Sequence, residues 1–146
     1  MTNVLDPRTL SGFNSRLGMT LTEVTADRAV ATIVIAEEHL QPAGIVHGGV
    51  HCAIVETLAS IAAGEYFSGP GRSVVGANNS TDFIRAVGVG SVLTAEATPI
   101  HRGRTQQLWQ VRIVGSDGRL VARGNVRLAN LESREDDRSV TEPRKS

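Results

Sequence analysis

The sequence predicts an α+β domain in which an antiparallel β-sheet wraps around one long central helix. Three observations carry this. Residues 50–64, VHCAIVETLASIAAG, are apolar on nearly every side, and such a helix in a globular domain has to be buried. Segments rich in β-branched residues, or alternating apolar with polar, stand before and after it, which is the strand signature. At 146 residues the chain has length for one core and not for two.

Taken in order, Asp6 and Pro7 read as the N-cap and first position of a short leading helix over 6–18, ended near Gly18. Met19 to Thr25 and Arg28 to Ala36 follow as two strands, with Ala26-Asp27 as the tight turn of a hairpin. Residues 39–49, HLQPAGIVHGG, hold Pro42, Gly44, Gly48 and Gly49 and form a loop that runs into the long helix. Gly64 is the expected C-cap. Beyond the loop SGPGRS, strands are expected over Ser73–Ile84, Ser91–Ile100 and Thr105–Val114. In the last, Trp109, Val111 and Ile113 alternate with Gln110 and Arg112. Gly115-Ser116-Asp117-Gly118 turns the chain into a sixth strand, Arg119 to Leu131. From Glu132 onward nine of fifteen residues are charged, so 132–146 reads as a disordered tail and 1–131 as the domain. A sheet curled on a single helix leaves an edge and apolar surface uncovered, so dimerisation is expected.

Composition narrows the function. Fifteen basic residues balance fifteen acidic ones, which leaves no field to favour nucleic acid or an anionic membrane. No apolar run approaches a membrane span and the N-terminus lacks a secretory pattern, so the expected location is the cytoplasm. The one cysteine, Cys52, agrees with that compartment. Fourteen of the basic residues are arginine and the single lysine is Lys145, which excludes P-loop and Schiff-base chemistry from the folded body.

The most anomalous residue is Glu56, a carboxylate midway along a helix with no other charge from Val50 to Gly64. Its helical neighbours, Cys52, Ala53, Ala59 and Ser60, are all small and leave room beside it. A catalytic or ligand-facing role is the reading, against an ordinary exposed or paired glutamate. His47, Gly48 and Gly49 stand just before the helix, where free N–H groups and missing side chains would suit the oxygen of a polarised carbonyl. His47 and His51 are four apart, but Gly48 stands where a zinc-protease helix needs glutamate, so no metal is expected. Cys52 reads as a small buried hydrophobe and not as a nucleophile.

The run Gln41-Pro42-x-Gly44-x-x-His47-Gly48-Gly49, followed by Glu56 and Ser60, resembles the hot-dog thioesterases. It is most similar to the branch of the hydroxybenzoyl-CoA superfamily, the PaaI-like proteins, that holds the dihydroxynaphthoyl-CoA and the enterobactin-pathway proofreading thioesterases. Ser73-Val74-Val75-Gly76, Phe83-Ile84-Arg85 and Pro99 to Arg104 support it, and the likeness covers about residues 19 to 131. The resemblance implies a hot-dog fold and hydrolysis of a small aryl- or acyl-thioester of coenzyme A or acyl-carrier protein, with no cofactor beyond the substrate's own coenzyme A. Glu56 would be nucleophile or general base, and the Gly48 N–H would polarise the carbonyl. Gln41 would help hold that oxygen, Ser60 would position water, and His47 would shape the loop. Gly49, Asp82, Phe83, Arg102, Arg104 and Thr105 would contact substrate or its nucleotide. Where several relatives carry a histidine against a hydroxyaryl group, this chain has Phe83, or Asp82 if the alignment is displaced by one. Sites at a dimer interface, and dimers paired into tetramers, are also implied. Two alternatives stay open: a dehydratase using a histidine and a carboxylate, and a binding module of the same fold without turnover.

Overall fold

The computed structural model describes residues 10–133. Its elements are α1 (Phe13–Arg16), β1 (Met19–Val24), β2 (Ala29–Val34), a 3-10 turn (Glu37–His39), α2 (Gly48–Tyr66), β3 (Arg72–Phe83), β4 (Val92–Arg102), β5 (Gln106–Gly115) and β6 (Leu120–Glu132). The six strands form one antiparallel sheet in the order β1-β2-β4-β5-β6-β3, with β1 and β3 at the edges. It wraps around α2, which is the hot-dog fold expected from the sequence.

The helix is buried because its apolar side chains have nowhere else to go. Ile54, Val55, Leu58, Ala62 and Ala63 are fully buried, and they share one core with Trp109, Val111 and Ile113 of β5 and Val126 and Leu128 of β6. Each large aliphatic side chain removed from water contributes about 1.5–3 kcal/mol, so this stripe is the main source of stability. The alternation read in β5 is the packed face: Trp109, Val111 and Ile113 all point to the helix. One polar side chain joins them at no cost in unmet hydrogen bonds. Buried Gln107 donates to Ala63 O (3.3 Å) and Asn130 Oδ1 (2.8 Å), and its own oxygen accepts the Trp109 indole N–H (2.8 Å). That network ties the C-terminal half of α2 to the last hairpin.

Three expectations are corrected at their boundaries. The helix does not stop at Gly64 but continues to Tyr66, with Phe67 as its cap. A side chain at 64 would meet only Val74, at 3.8 Å, and Gly64 keeps a negative φ, so no left-handed cap is formed there. The leading helix does not run through residues 10–12, because Gly12 takes φ 58° and ψ −133° immediately before α1; Asp6 and Pro7 lie outside the described residues. The C-terminal strand extends beyond Leu131, since Glu132 pairs with Arg72 in the sheet and their side chains meet at 3.1 Å. The tail from 134 on lies outside the described residues. Among those described, no helix is long and apolar enough to cross a membrane.

Two irregularities matter for the site. The β3–β6 register shifts between Gly76 and Asn78, a bulge at Ala77. A bulge adds one residue to the period of two. Gly76 and Asn79 therefore share the face that looks at the helix, as do Thr81 and Phe83, which pair with inward-facing Gly124 and Ala122. The 12-residue strand β3 is also largely exposed along its length, although it is paired on one side with β6.

Candidate active site

The start of α2 is built by its capping residue. His47 Nδ1 accepts the Gly49 N–H at 2.8 Å, and His47 O accepts the Val50 N–H at 2.9 Å. The Gly48 N–H, in the same first turn, has no acceptor among the described residues. It carries the partial positive charge of a helix start and is free to meet an oxygen. The Phe83 ring lies against the Gly48 Cα: its Cε2 is 2.5 Å from where a Cβ would stand, so a side chain at 48 would push the ring aside.

Gln41 lies in the same cleft, of about 340 Å³, with Gly48, His51, Phe83, Ile84 and Arg85 on its walls. The Gln41 side-chain oxygen accepts the Ala43 N–H, which fixes the amide's orientation and leaves its NH2 as a donor. His51 is 3% exposed and its ring centre is 6.0 Å from that of Phe83. Burial pushes the His51 pKa down, so the ring is neutral. Phe83 faces the cleft, whereas Asp82 points outward, 3.6 Å from Arg123. Of the two, it is Phe83 that lines the cleft. The wall behind it is pinned: Arg85 holds Asp117 through two 2.9 Å hydrogen bonds, and the guanidinium lowers the Asp117 pKa to about 2.

Glu56 lies two turns further along the helix. Ala53, Glu56, Ser60 and Gly64 form a half-covered stripe at spacings of three and four, on the side of α2 toward the edge strand β3. Glu56 Oε2 accepts from Asn79 Nδ2 at 3.1 Å, and the same nitrogen donates to Cys52 O at 3.1 Å. Thr81 Oγ1 donates to Asn79 Oδ1 at 2.7 Å. Glu56 Oε1 occupies the place a side chain at Gly76 would take. No arginine or other cation is bonded to this carboxylate among the described residues, so it is not half of a buried ion pair.

The other residues singled out from the sequence fall in two further places. His47 and Gly49 line a second cleft, of about 620 Å³, shared with Phe13, Arg16, Leu17 and His39. Arg102, Arg104 and Thr105 lie at the opposite end of the molecule, beside the helix C-terminus. Arg102 stacks on Tyr66 (4.6 Å) and donates from one guanidinium nitrogen to Ala26 O (2.9 Å) and Asp27 Oδ1 (2.6 Å), which ties it to the β1–β2 turn. The Arg104 backbone oxygen is held by Asn130 (3.2 Å), while its guanidinium has no partner among the described residues. Among the described residues no three His, Cys, Asp or Glu side chains gather as a metal site would need.

Asn79, Thr81, Gly76 and Arg85 were not singled out for roles from the sequence. The signal available was the run Asn78-Asn79-Ser80-Thr81-Asp82 within a strand, polar residues on both faces where one face should be apolar.

Residues 43–122 match the family model described as Thioesterase superfamily. The Mycobacterium tuberculosis protein Rv1847 is 50% identical over 124 residues, covering 84% of this chain and 88% of that one. The proofreading thioesterase EntH of Cronobacter sakazakii is 37% identical over 103 residues, 70% of this chain and 74% of that one. Among solved structures, S. sahachiroi AziG superposes with a TM-score of 0.82 at 49% identity, covering 86% of this chain and 100% of that one.

Proposed function

The chain belongs to the thioesterase superfamily and is a thioester hydrolase, and from that premise we propose that it cleaves acyl-CoA esters with Glu56 as its catalytic carboxylate. The observation that carries this reading is a pair of groups on one helix: a Gly48 N–H with no acceptor and a Glu56 carboxylate with no cationic partner among the described residues. Thioester hydrolysis needs those two things, a donor for the oxygen that gains charge and a base or nucleophile for the carbonyl carbon. Gln41, with its NH2 turned into the cleft beside Gly48, would be the second donor.

Distance decides how the two are combined. Eight residues separate Gly48 from Glu56, which at 1.5 Å per residue is about 12 Å along one helix, too far to serve a single carbonyl. A second copy related by a two-fold axis removes the difficulty, because two antiparallel helices laid side by side bring the start of one level with the middle of the other. The unpaired edge of β3 supports this reading. An exposed edge of twelve residues is a ready template for another strand, and the open stripe of α2 lies beside it. Each site would then use Gln41 and Gly48 of one subunit and Glu56 and Ser60 of the other. By the resemblance, such dimers pair into tetramers.

At the far end, the free Arg104 guanidinium beside exposed Thr105 is the better candidate for a coenzyme A phosphate, since Arg102 is already committed. Phe83 with Ile45 and Ile84 gives the cleft an apolar wall that suits the body of an acyl or aryl group. A cytoplasmic location fits the lone, unbridged Cys52.

The test is release of free thiol from a panel of acyl-CoA esters by the wild type and by Glu56→Gln. With the shape kept and the basicity removed, turnover should fall by about 100-fold or more while the protein stays folded and binds substrate. A stable Glu56→Gln protein with full turnover would remove Glu56 from the mechanism.

A further inference from the structure

The catalytic carboxylate just proposed is unusually well held for a side chain with no cationic partner. Asn79 uses both amide protons, one on Glu56 Oε2 and one on the carbonyl of Cys52, a full turn earlier in the helix (3.1 Å each). Its oxygen is taken by the Thr81 hydroxyl (2.7 Å). A carboxamide with a donor on its oxygen and acceptors on its nitrogen cannot rotate without losing all three bonds. The other carboxylate oxygen rests over Gly76, where any larger residue would displace it. These contacts exist because the bulge at Ala77 turns Gly76 and Asn79, three positions apart, toward the same face; an unbroken strand would have presented Asn78 instead.

We propose that Asn79 is a positioning residue for Glu56: locked by Thr81, it anchors the carboxylate to the helix backbone and sets the angle at which it meets the thioester. This rests on the reading of Glu56 as the catalytic carboxylate. The chemistry explains why an amide is used. A lysine or arginine here would tie the carboxylate up as an ion pair and blunt it as a base or nucleophile, whereas a neutral donor orients it at little cost in reactivity. Misplacement of a reacting group by about 1 Å costs up to about 100-fold in rate. A half-covered side chain with three rotatable bonds would wander that far without a fixed partner.

The experiment is steady-state kinetics of Asn79→Leu and Asn79→Asp, each also in the Glu56→Gln background, with thermal unfolding recorded for every variant. Both replacements keep the size of the side chain and remove the donor. Each single variant should lose roughly 10- to 100-fold in kcat, with KM within about twofold of wild type and Tm little changed. Added to Glu56→Gln, Asn79→Leu should cost nothing more, because there is no longer a carboxylate to orient. Wild-type kcat in either single variant overturns the proposal, as does a full further loss in the double variant. If Asn79→Leu proves unstable, Thr81→Val tests the same lock from its far end, and an unchanged kcat there sinks it. Failure of the underlying reading shows itself separately, as a fully active Glu56→Gln.

Discussion

The two faces of α2 are built on opposite terms. One carries Ile54, Val55, Leu58 and Ala62, all fully buried against the concave side of the sheet. The other carries Ala53, Glu56, Ser60 and Gly64, small or polar, half-covered, and facing the exposed edge strand β3. The first face is packed within one chain: its aliphatic side chains are fully buried, and the Gln107 they enclose has all its bonds. The second is not. Its carboxylate is oriented but has no cationic partner among the described residues, its neighbouring strand has an open edge, and the Gly48 N–H proposed to meet the thioester oxygen is about 12 Å away along the axis. Stability is concentrated on one side of a single helix. On the proposed reading, chemistry belongs to the other, which substrate and a second subunit would complete.

The strongest way to break this comparison is to ask whether one chain can complete the open face alone. Gln41→Ala and Glu56→Gln should each be nearly inactive. Mixed by denaturation and refolding, they form hybrids in which one of the two sites draws Gln41 and Glu56 from intact chains. With random pairing half of all dimers are hybrids and each has one good site, so activity should return to about a quarter of wild type. If each site lay within one chain, mixing would restore nothing. Thiol release from the mixture, against each parent carried through the same refolding, reads the outcome.

The closed face was legible in the sequence and the open one only in outline. Burial follows from period: an all-apolar helix and the alternation of Trp109, Val111 and Ile113 state which side chains face inward, and the packing obeys. Glu56 was also legible, since a lone charge in such a helix is an exception that demands a reason. Asn79 was not, because its orientation depends on the bulge at Ala77. Counting by twos from Gly76 assigns the inward place to Asn78, and nothing in the local residues announces the extra one. The clamp made by Arg102 was not legible either: its partners Asp27 and Tyr66 are 75 and 36 residues away in sequence, and only the fold brings them together.

That contrast between two arginines sharpens the comparison at the far end of the molecule. Arg104 has no side-chain partner among the described residues, so Arg104→Ala should raise the KM for a coenzyme A ester by about 10-fold, the worth of one charge-assisted contact to phosphate, and leave kcat nearly unchanged. Arg102→Ala should do the reverse: KM within about twofold of wild type and a lower unfolding midpoint, as the β1–β2 turn loses its clamp and Tyr66 its stacked cation. Equal KM effects in the two variants would mean that the division between committed and available groups does not extend to this end.

The smallest effect expected comes from the closed face itself, where one side chain titrates. His51 is 3% exposed and its ordinary pKa of 6.5 is lowered by burial. The unfolded chain therefore takes up a proton at His51 as pH falls through 6.5, while the native state does not until lower pH. Over that window the unfolded state binds more protons, and stability must fall as pH falls. The contribution is fully present above pH 6.5 and is lost progressively below it, toward the lowered native value. Other groups add their own pH dependence, so the measurement is a difference: urea midpoints at pH 7.5 and 5.5 for wild type and for His51→Leu, which is apolar and cannot charge. The variant should lose less stability between the two pH values than the wild type does, whatever its absolute midpoint. Equal losses would mean that His51 is as accessible to a proton in the folded chain as in the unfolded one. The first turns of α2 would then open to water together with the cleft they line, and the closed face would begin only beyond them, at Ile54.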